Sequence, residues 1–322
     1  MKNFFQTVFG SLAAVAFGWG VAWGAGRLWV MAFPNGAGER LHSMAAAAET
    51  AISRPSDGTS ITGMKRVIHY TADEEEDLIN QAAMSLPSGA DGRITALSYL
   101  VKDEKTGAIA AEFDQDRLLP IASLTKLVTA AVARKLIPAD TEITITPEIM
   151  RTYGNTAEFK AGETFTAGDL LYPLLLVSSN DAAEAYARSY GRPMFIAAMN
   201  DFAQSVGAYR TTFNDPSGLS PLNESTADDL ATIVNWIRVH DPGILAVTAE
   251  KSKTVRGHVF VNPTHFLSWS YYLGGKNGYT DEADRTAVSL FAIGPSKDPY
   301  IVVLLGSADR DADVIKLLAK VR

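Results

Sequence analysis

Strand-like patterns lie only at the two ends of the chain from Arg93 onward, and the stretch between them reads as helix. Residues 94–101 and 108–113 are apolar strand patterns joined by Asp103-Glu-Lys-Thr-Gly107, a hairpin signal. Near the other end, residues 266–274, 287–293 and 301–305 read as strands and 311–321 as a terminal helix. Helical periodicity covers 123–136, 167–177, 181–190, 193–206 and 226–240, the last opened by the cap signature Thr226-x-x-Asp229. Strands must pair, so two at one end and three at the other predict one five-stranded antiparallel sheet closed by both ends, flanked by helices, with a helical subdomain between. The expected class is α+β, and no internal repeat is visible.

Everything before Arg93 has a different character. Residues 4–26 contain no charge, and 23 residues at about 1.5 Å each make about 34 Å of helix, enough for a hydrocarbon core of about 30 Å. The run exceeds the usual length of a cleaved signal's apolar region, and Trp23, Trp29 and Phe33 crowd its end, which favours an uncleaved anchor over a signal peptide. Residues 1–34 are therefore assigned to a membrane anchor. Residues 35–92 are assigned to a linker or stalk, with a short helix opened by Thr71-x-x-Glu74, and residues 93–322 to one catalytic domain. The charge divides with it: the first 38 residues carry +2, which leaves −9 on the other 284 within a total of −7.

Composition excludes several chemistries. No Lys/Arg block could neutralise a run of phosphates, so nucleic acid is not an expected partner. The chain has no cysteine, hence no disulfide, thiolate zinc site or cysteine nucleophile. The five histidines show no metal-ligand spacing, and neither G-x-S-x-G nor H-E-x-x-H occurs, so no metal site and no cofactor are expected.

Three short elements carry the chemistry. Ser123-Leu-Thr-Lys126 opens the first long helix, placing a hydroxyl and an amine one turn apart on one face, near the positive end of the helix dipole. A serine needs a base to become a nucleophile, and a buried lysine beside another cation can stay neutral enough to serve. Ser178-Ser-Asn180 lies at a turn between two helices, and Lys276-Asn-Gly278 with Tyr279 and Thr280 lies at the end of a strand. The order S-x-x-K, S-x-N, K-x-G is the ordered motif set of penicillin-binding proteins and class A β-lactamases.

On these motifs the sequence resembles the serine-type D-alanyl-D-alanine carboxypeptidases, the low-molecular-mass penicillin-binding proteins, of the β-lactamase/transpeptidase-like superfamily. Leu119-Pro-Ile-Ala-Ser-Leu-Thr-Lys126, Leu175-Leu-Val-Ser-Ser-Asn-Asp-Ala182, Met199-Asn200, Phe213-Asn-Asp-Pro-Ser-Gly-Leu219 and Gly275-Lys-Asn-Gly-Tyr-Thr280 carry the likeness, which spans about residues 93–322. The resemblance implies Ser123 as acylated nucleophile, Lys126 as general base and Ser178 as proton relay to the leaving amine. It implies Asn180, Lys276, Asn277, Gly278, Tyr279 and Thr280 as substrate-binding residues, with the backbone N–H groups of Ser123 and Tyr279 as the oxyanion hole. The implied partners are peptidoglycan stem peptides, β-lactams as covalent inhibitors, and a membrane through the N-terminal segment, with the catalytic domain on the extracytoplasmic side of the cell membrane.

One position departs from the pattern: Asn277 stands where the family carries threonine, so an amide replaces a hydroxyl beside the substrate carboxylate. Arg285 is a further source of charge there, or simply a surface arginine. Lys105-Thr-Gly107 reproduces the family triplet literally, but it precedes the nucleophile and belongs to the hairpin turn. Two other readings fit the motifs. One is a β-lactamase or D,D-endopeptidase on the same fold, although no E-x-x-L-N element supports a class A β-lactamase. The other is an idle envelope-binding homologue, motivated by Asn277.

Overall fold

The computed structural model describes residues 93–293 and 297–321. The anchor, the stalk and its short helix fall outside the described residues. Among the described residues, no helix is long and apolar enough to cross a membrane.

Five strands form the central sheet: β1 (Ser98–Asp103), β2 (Ile109–Phe113), β3 (Tyr272–Thr280), β4 (Asp284–Ala292) and β5 (Pro299–Ser307), in the order β2-β1-β5-β4-β3, all neighbours antiparallel. The two ends of the domain meet where β1 pairs with β5, Leu100 opposite Val303. The β5 sequence is almost continuously apolar because both faces of the sheet are covered. Ile301, Val303 and Leu305 join the core under the helical subdomain, while Val302 and Leu304 join a second core with Phe266, Phe291, Val314 and Leu317.

The middle contains α1 (Thr125–Leu136), α2 (Ala167–Leu176), α3 (Asn180–Tyr190), α4 (Arg192–Ser205), α5 (Ala227–His240) and α6 (Pro242–Thr248), and α7 (Arg310–Leu318) follows the last strand. Contrary to the expectation of strands only at the two ends, three short antiparallel pairs also lie in the middle among the described residues: Leu119–Pro120 with Glu224–Ser225, Glu142–Thr144 with Thr164–Thr166, and Ser252–Val255 with His258–Val261. Local chemistry sets several starts. Thr166 and Asp169 form a reciprocal capping box on α2, Ser179 caps α3, and Thr226 caps α5 by accepting from Asp229 N, as its cap signature predicts.

Among the departures from the sequence expectation, four have a visible reason. The first strand begins at Ser98, because the amides of Thr95 and Ala96 are taken by the buried Asp313 carboxylate of α7, each at 3.0 Å. The apolar run 266–274 is not one strand: His265–Ser268 is a 3-10 turn, and Phe266, Trp269, Tyr271 and Tyr272 gather around Phe291. The strand starts at Tyr272 and runs through the Lys276–Gly278 motif, so the motif is internal to β3. The helix expected from Ser123 starts at Thr125, preceded by a 3-10 turn over Ala122–Leu124. The short helix α6, absent from the sequence reading, begins at Pro242, where a fixed φ and a missing N–H suit a helix's first turn. The Lys105-Thr-Gly107 triplet sits in the β1–β2 turn, its first two amides bound by Asp103.

Candidate active site

The turn that carries Ser123 is forced into shape from both sides. Ala122 adopts φ +48°, a left-handed conformation unfavourable for a residue with a Cβ. Its carbonyl lies against Gly218, φ +87°, where an added Cβ would stand 1.9 Å from Ala122 O. Thr286 Oγ1 of β4 donates to Ile121 O at 3.1 Å, tying the turn to the sheet. Opposite Thr286 in register is Gly278 of β3, where an added Cβ would lie 2.8 Å from Ser123 N. Only glycine lets the strand pass this close to the nucleophile's amide.

Lys126 is fully buried one helical turn after Ser123. Its Nζ lies 2.9 Å from Ser123 Oγ, 2.8 Å from Asn180 Oδ1 and 2.6 Å from the carbonyl oxygen of Ser217. Burial, and then the charge of Lys276, push this amine well below its ordinary pKa, with Asp215 opposing. A neutral amine has two hydrogens and one lone pair. The two carbonyl oxygens can only accept, so they take the hydrogens, and the lone pair is left to accept the Ser123 hydroxyl proton.

The acceptors are themselves fixed. Asn180, the first residue of α3, uses its amide nitrogen to donate to Tyr153 O at 2.7 Å, which orients Oδ1 toward Lys126. Ser217 is held by Asp215, whose Oδ1 accepts from Ser217 N and Gly218 N and whose Oδ2 accepts from Ser220 N. Asn223 receives the amides of Asn214 and Asp215 and donates to Thr125 Oγ1 of α1. Asn200 of α4 accepts from Phe213 N and donates to Phe213 O. Residues 213–219, legible in the sequence only as a landmark, thus exist in this form to aim one carbonyl at Lys126.

Ser178, at φ +58°, precedes the Ser179 cap, and its buried Oγ has no hydrogen-bond partner among the described residues. Lys276 is buried, with Nζ donating to Asn277 O at 2.9 Å, and burial followed by the nearby Arg310 guanidinium brings it down to about 7. Asn277 is half-buried and pairs with Ala287. The Tyr279 ring is exposed, its hydroxyl donates to Asp281, and the Arg285 guanidinium sits 5.6 Å from its centroid while donating to Ala308 O. Arg285 is therefore a partner of Tyr279. Thr280 Oγ1 accepts from Ala283 N and shapes the β3–β4 turn.

The structure brings Ser123, Lys126, Asn180 and Gly278 into direct contact, with Ser178 beside Asn180 and Lys276 coupled electrostatically to Lys126. Sequence reasoning assigned no role to Ser217, Asp215, Asn223, Tyr153 or Arg310. The first three lie in or beside a recognised landmark, but Tyr153 contributes only its carbonyl and Arg310 carries no motif. Among the described residues, no group of three histidines and carboxylates could hold a metal ion.

A serine activated by a buried lysine, at the edge of a five-stranded antiparallel sheet under a helical subdomain, defines an active-serine D,D-peptidase of the penicillin-binding fold. The D-alanyl-D-alanine carboxypeptidase model of the S11 peptidases matches residues 81–308, and the chain belongs to this family. It is similar to the D-alanyl-D-alanine carboxypeptidase DacB2 of Mycobacterium tuberculosis, 32% identical over 231 residues, 68% of this chain and 77% of the relative. It is also similar to the D-alanyl-D-alanine endopeptidase of Pseudomonas aeruginosa, 31% identical over 236 residues, covering 68% and 75%. Among solved structures, a D-alanyl-D-alanine carboxypeptidase from M. tuberculosis superposes with a TM-score of 0.65 at 29% identity, covering 71% of this chain and 89% of that one. The Streptomyces K15 DD-transpeptidase superposes with the same score at 25% identity, covering 71% and 97%.

Proposed function

We propose that the protein removes the terminal D-alanine from peptidoglycan stem peptides by way of an ester on Ser123. Neutral Lys126 takes the Ser123 hydroxyl proton as Oγ attacks the carbonyl carbon of the D-Ala-D-Ala bond. The N–H groups of Ser123 and Tyr279 receive the developing oxyanion, which Gly278 permits by its closeness to the Ser123 amide. The unpartnered Ser178 Oγ passes a proton to the leaving amine, and water then hydrolyses the acyl-enzyme. Asn180 positions Lys126 through Oδ1 and donates from its amide nitrogen to the substrate's peptide carbonyl. Lys276 attracts the substrate's free carboxylate, and Asn277 donates to it in place of a threonine hydroxyl. The observation that carries the reading is the Lys126 amine, which has both hydrogens committed to carbonyl oxygens and its lone pair at the nucleophile.

The working site is the outer face of the cell membrane, to which the uncharged segment 4–26 anchors the catalytic domain; peptidoglycan lies on that side. Protease accessibility of the domain in intact and permeabilised spheroplasts tests this placement, and protection in intact spheroplasts refutes it.

The activity is tested by incubating the protein with a fluorescent penicillin and, separately, with a peptide ending in D-Ala-D-Ala. Covalent label and released D-alanine are expected, both absent in Ser123→Ala. Absence of both from the unmodified protein overturns the enzyme reading, and rapid turnover of the penicillin would mark a β-lactamase. Asn277→Thr is expected to change the balance between penicillin and peptide while leaving acylation intact.

A further inference from the structure

The loop over residues 148–159 is fastened to α3, the helix that opens with Asn180. At its start Glu148 pairs with Arg188 of α3 at 2.5 Å, and Ile149 is buried. At its end Asn155 accepts from Phe159 N at 3.1 Å and donates to Phe159 O at 3.3 Å, with Ala157 and Phe159 buried. Between these anchors the chain turns at Gly154, φ +81°, and the Tyr153 carbonyl accepts from Asn180 Nδ2 at 2.7 Å. The Tyr153 side chain takes no part in the anchoring: it is 82% exposed and, among the described residues, makes no hydrogen bond or ring contact. An exposed tyrosine is ordinary on a protein surface. This one is attached through its own carbonyl to the amide that meets the substrate.

The Asn180 amide nitrogen has two hydrogens. One goes to Tyr153 O, and in the proposed mechanism the other goes to a peptide carbonyl of the substrate. The scissile carbonyl occupies the oxyanion hole, so the carbonyl at Asn180 is the next one upstream. It belongs to the residue that precedes D-Ala-D-Ala. Two acceptors of one NH2 group, each about 2.8 Å from the nitrogen and about 120° apart, stand about 5 Å from each other. Each side chain leaves from the carbon next to its carbonyl, so the Tyr153 ring and a long side chain on that substrate residue come within reach. An aromatic face packs the methylene stem of such a side chain and attracts a cation at its end. A methyl group stops short of the ring.

We propose that the Tyr153 ring is a specificity-determining contact for the residue preceding D-Ala-D-Ala, favouring a side chain with a methylene stem that ends in an amine. The proposal rests on the reading of the cleft as a D-Ala-D-Ala site. Tyr153 selects among stem peptides, while bond breaking stays with Ser123 and Lys126.

The test uses the full chain and two peptides ending in D-Ala-D-Ala, one with lysine and one with alanine before that pair. Release of D-alanine is followed for each. The unmodified protein should prefer the lysine peptide, and Tyr153→Ala should lower the ratio of the two kcat/KM values about fivefold, chiefly through KM for the lysine peptide. Tyr153→Phe keeps the ring face and should keep the ratio. The backbone carbonyl is present in all three proteins, so Asn180 stays held. An unchanged ratio in Tyr153→Ala, an equal loss on both peptides, or a ratio lost in Tyr153→Phe overturns the proposal.

A second readout needs no release of D-alanine. Covalent labelling of Ser123 is timed with two penicillins, one whose side chain is a methylene stem ending in a primary amine and one with a short acetyl side chain. Tyr153→Ala should slow the first relative to the second. An unmodified protein that shows this labelling preference but releases no D-alanine overturns the carboxypeptidase reading and leaves the Tyr153 contact standing. Release of D-alanine with neither ratio changed in Tyr153→Ala overturns the contact alone.

Discussion

At the residue scale the proposed mechanism depends on two buried lysines acting in opposite protonation states. Lys126 must be neutral to accept a proton, and its depressed pKa makes acylation rise with pH through that value. Lys276 must be charged to hold a carboxylate, and at about 7 it loses that charge at a pH where an ordinary lysine keeps it. The kcat/KM for the peptide should therefore fall above about pH 7, and Lys276→Arg, permanently protonated, should remove that descending limb from the pH–rate profile. By the same logic Lys126→Arg cannot supply a neutral base, and penicillin labelling followed by mass spectrometry should slow by about 10²–10⁴-fold. Gly278→Ala places a methyl 2.8 Å from Ser123 N and 2.5 Å from Thr286 Oγ1, so β3 must retreat from the nucleophile. A displacement of this order should cost about 10²-fold in acylation, read by stopped-flow labelling.

At the element scale the decisive piece is the irregular segment 213–220, which delivers the Ser217 carbonyl to Lys126. Asn200 holds it to α4 through two hydrogen bonds at 2.9 Å, with a third to Ile196 O at 3.0 Å. Asn200→Ala leaves the half-buried Phe213 backbone groups unpaired and should destabilise by about 1–3 kcal/mol in urea unfolding. Acylation should slow as well, because the carbonyl that orients Lys126 loses its support. The helices and strands around this segment were legible because their apolar residues recur with a period that a single stretch of chain displays. Segment 213–220 has no period. Its shape follows from side-chain oxygens of Asp215, Asn223 and Asn200 binding backbone amides, and a sequence does not state which amides a carboxylate will find.

At the scale of the whole molecule, function works against stability. Lys276 is buried with Arg310 near it, and its pKa falls from the ordinary 10.5 to about 7. The unfolded chain binds the proton more readily between those values, so this group's contribution is present above about pH 10.5 and is lost as pH falls toward 7. Lys276→Met fills the same space without charge and should raise stability by about 1–2 kcal/mol at pH 7, or about 2–8 °C in the thermal midpoint. The gain should shrink at pH 10, where the native lysine is also neutral, while peptide hydrolysis is lost at both. The molecule as a whole is acidic, with a net charge of −7, yet it buries Lys126 and Lys276 within electrostatic reach of each other at one cleft by the sheet edge.

The sequence alone determined the class of fold and the catalytic triplets, because strand pairing demands that separated strand patterns meet and because S-x-x-K, S-x-N and K-x-G occur in order. It also placed the Lys105-Thr-Gly107 copy in a turn. Tertiary structure decided what the lysines are: Lys126 is held well below its ordinary pKa because α1, α3 and the 213–220 segment bury it among acceptors, and Lys276 is a weakened ammonium because the fold buries it, with the charge of Arg310 from the last helix adding to the effect. It likewise decided that residues 266–271 turn into an aromatic cluster before the strand begins. Burial, charge and proximity depend on which distant segments come together, and those relations exist only once the chain has closed its sheet.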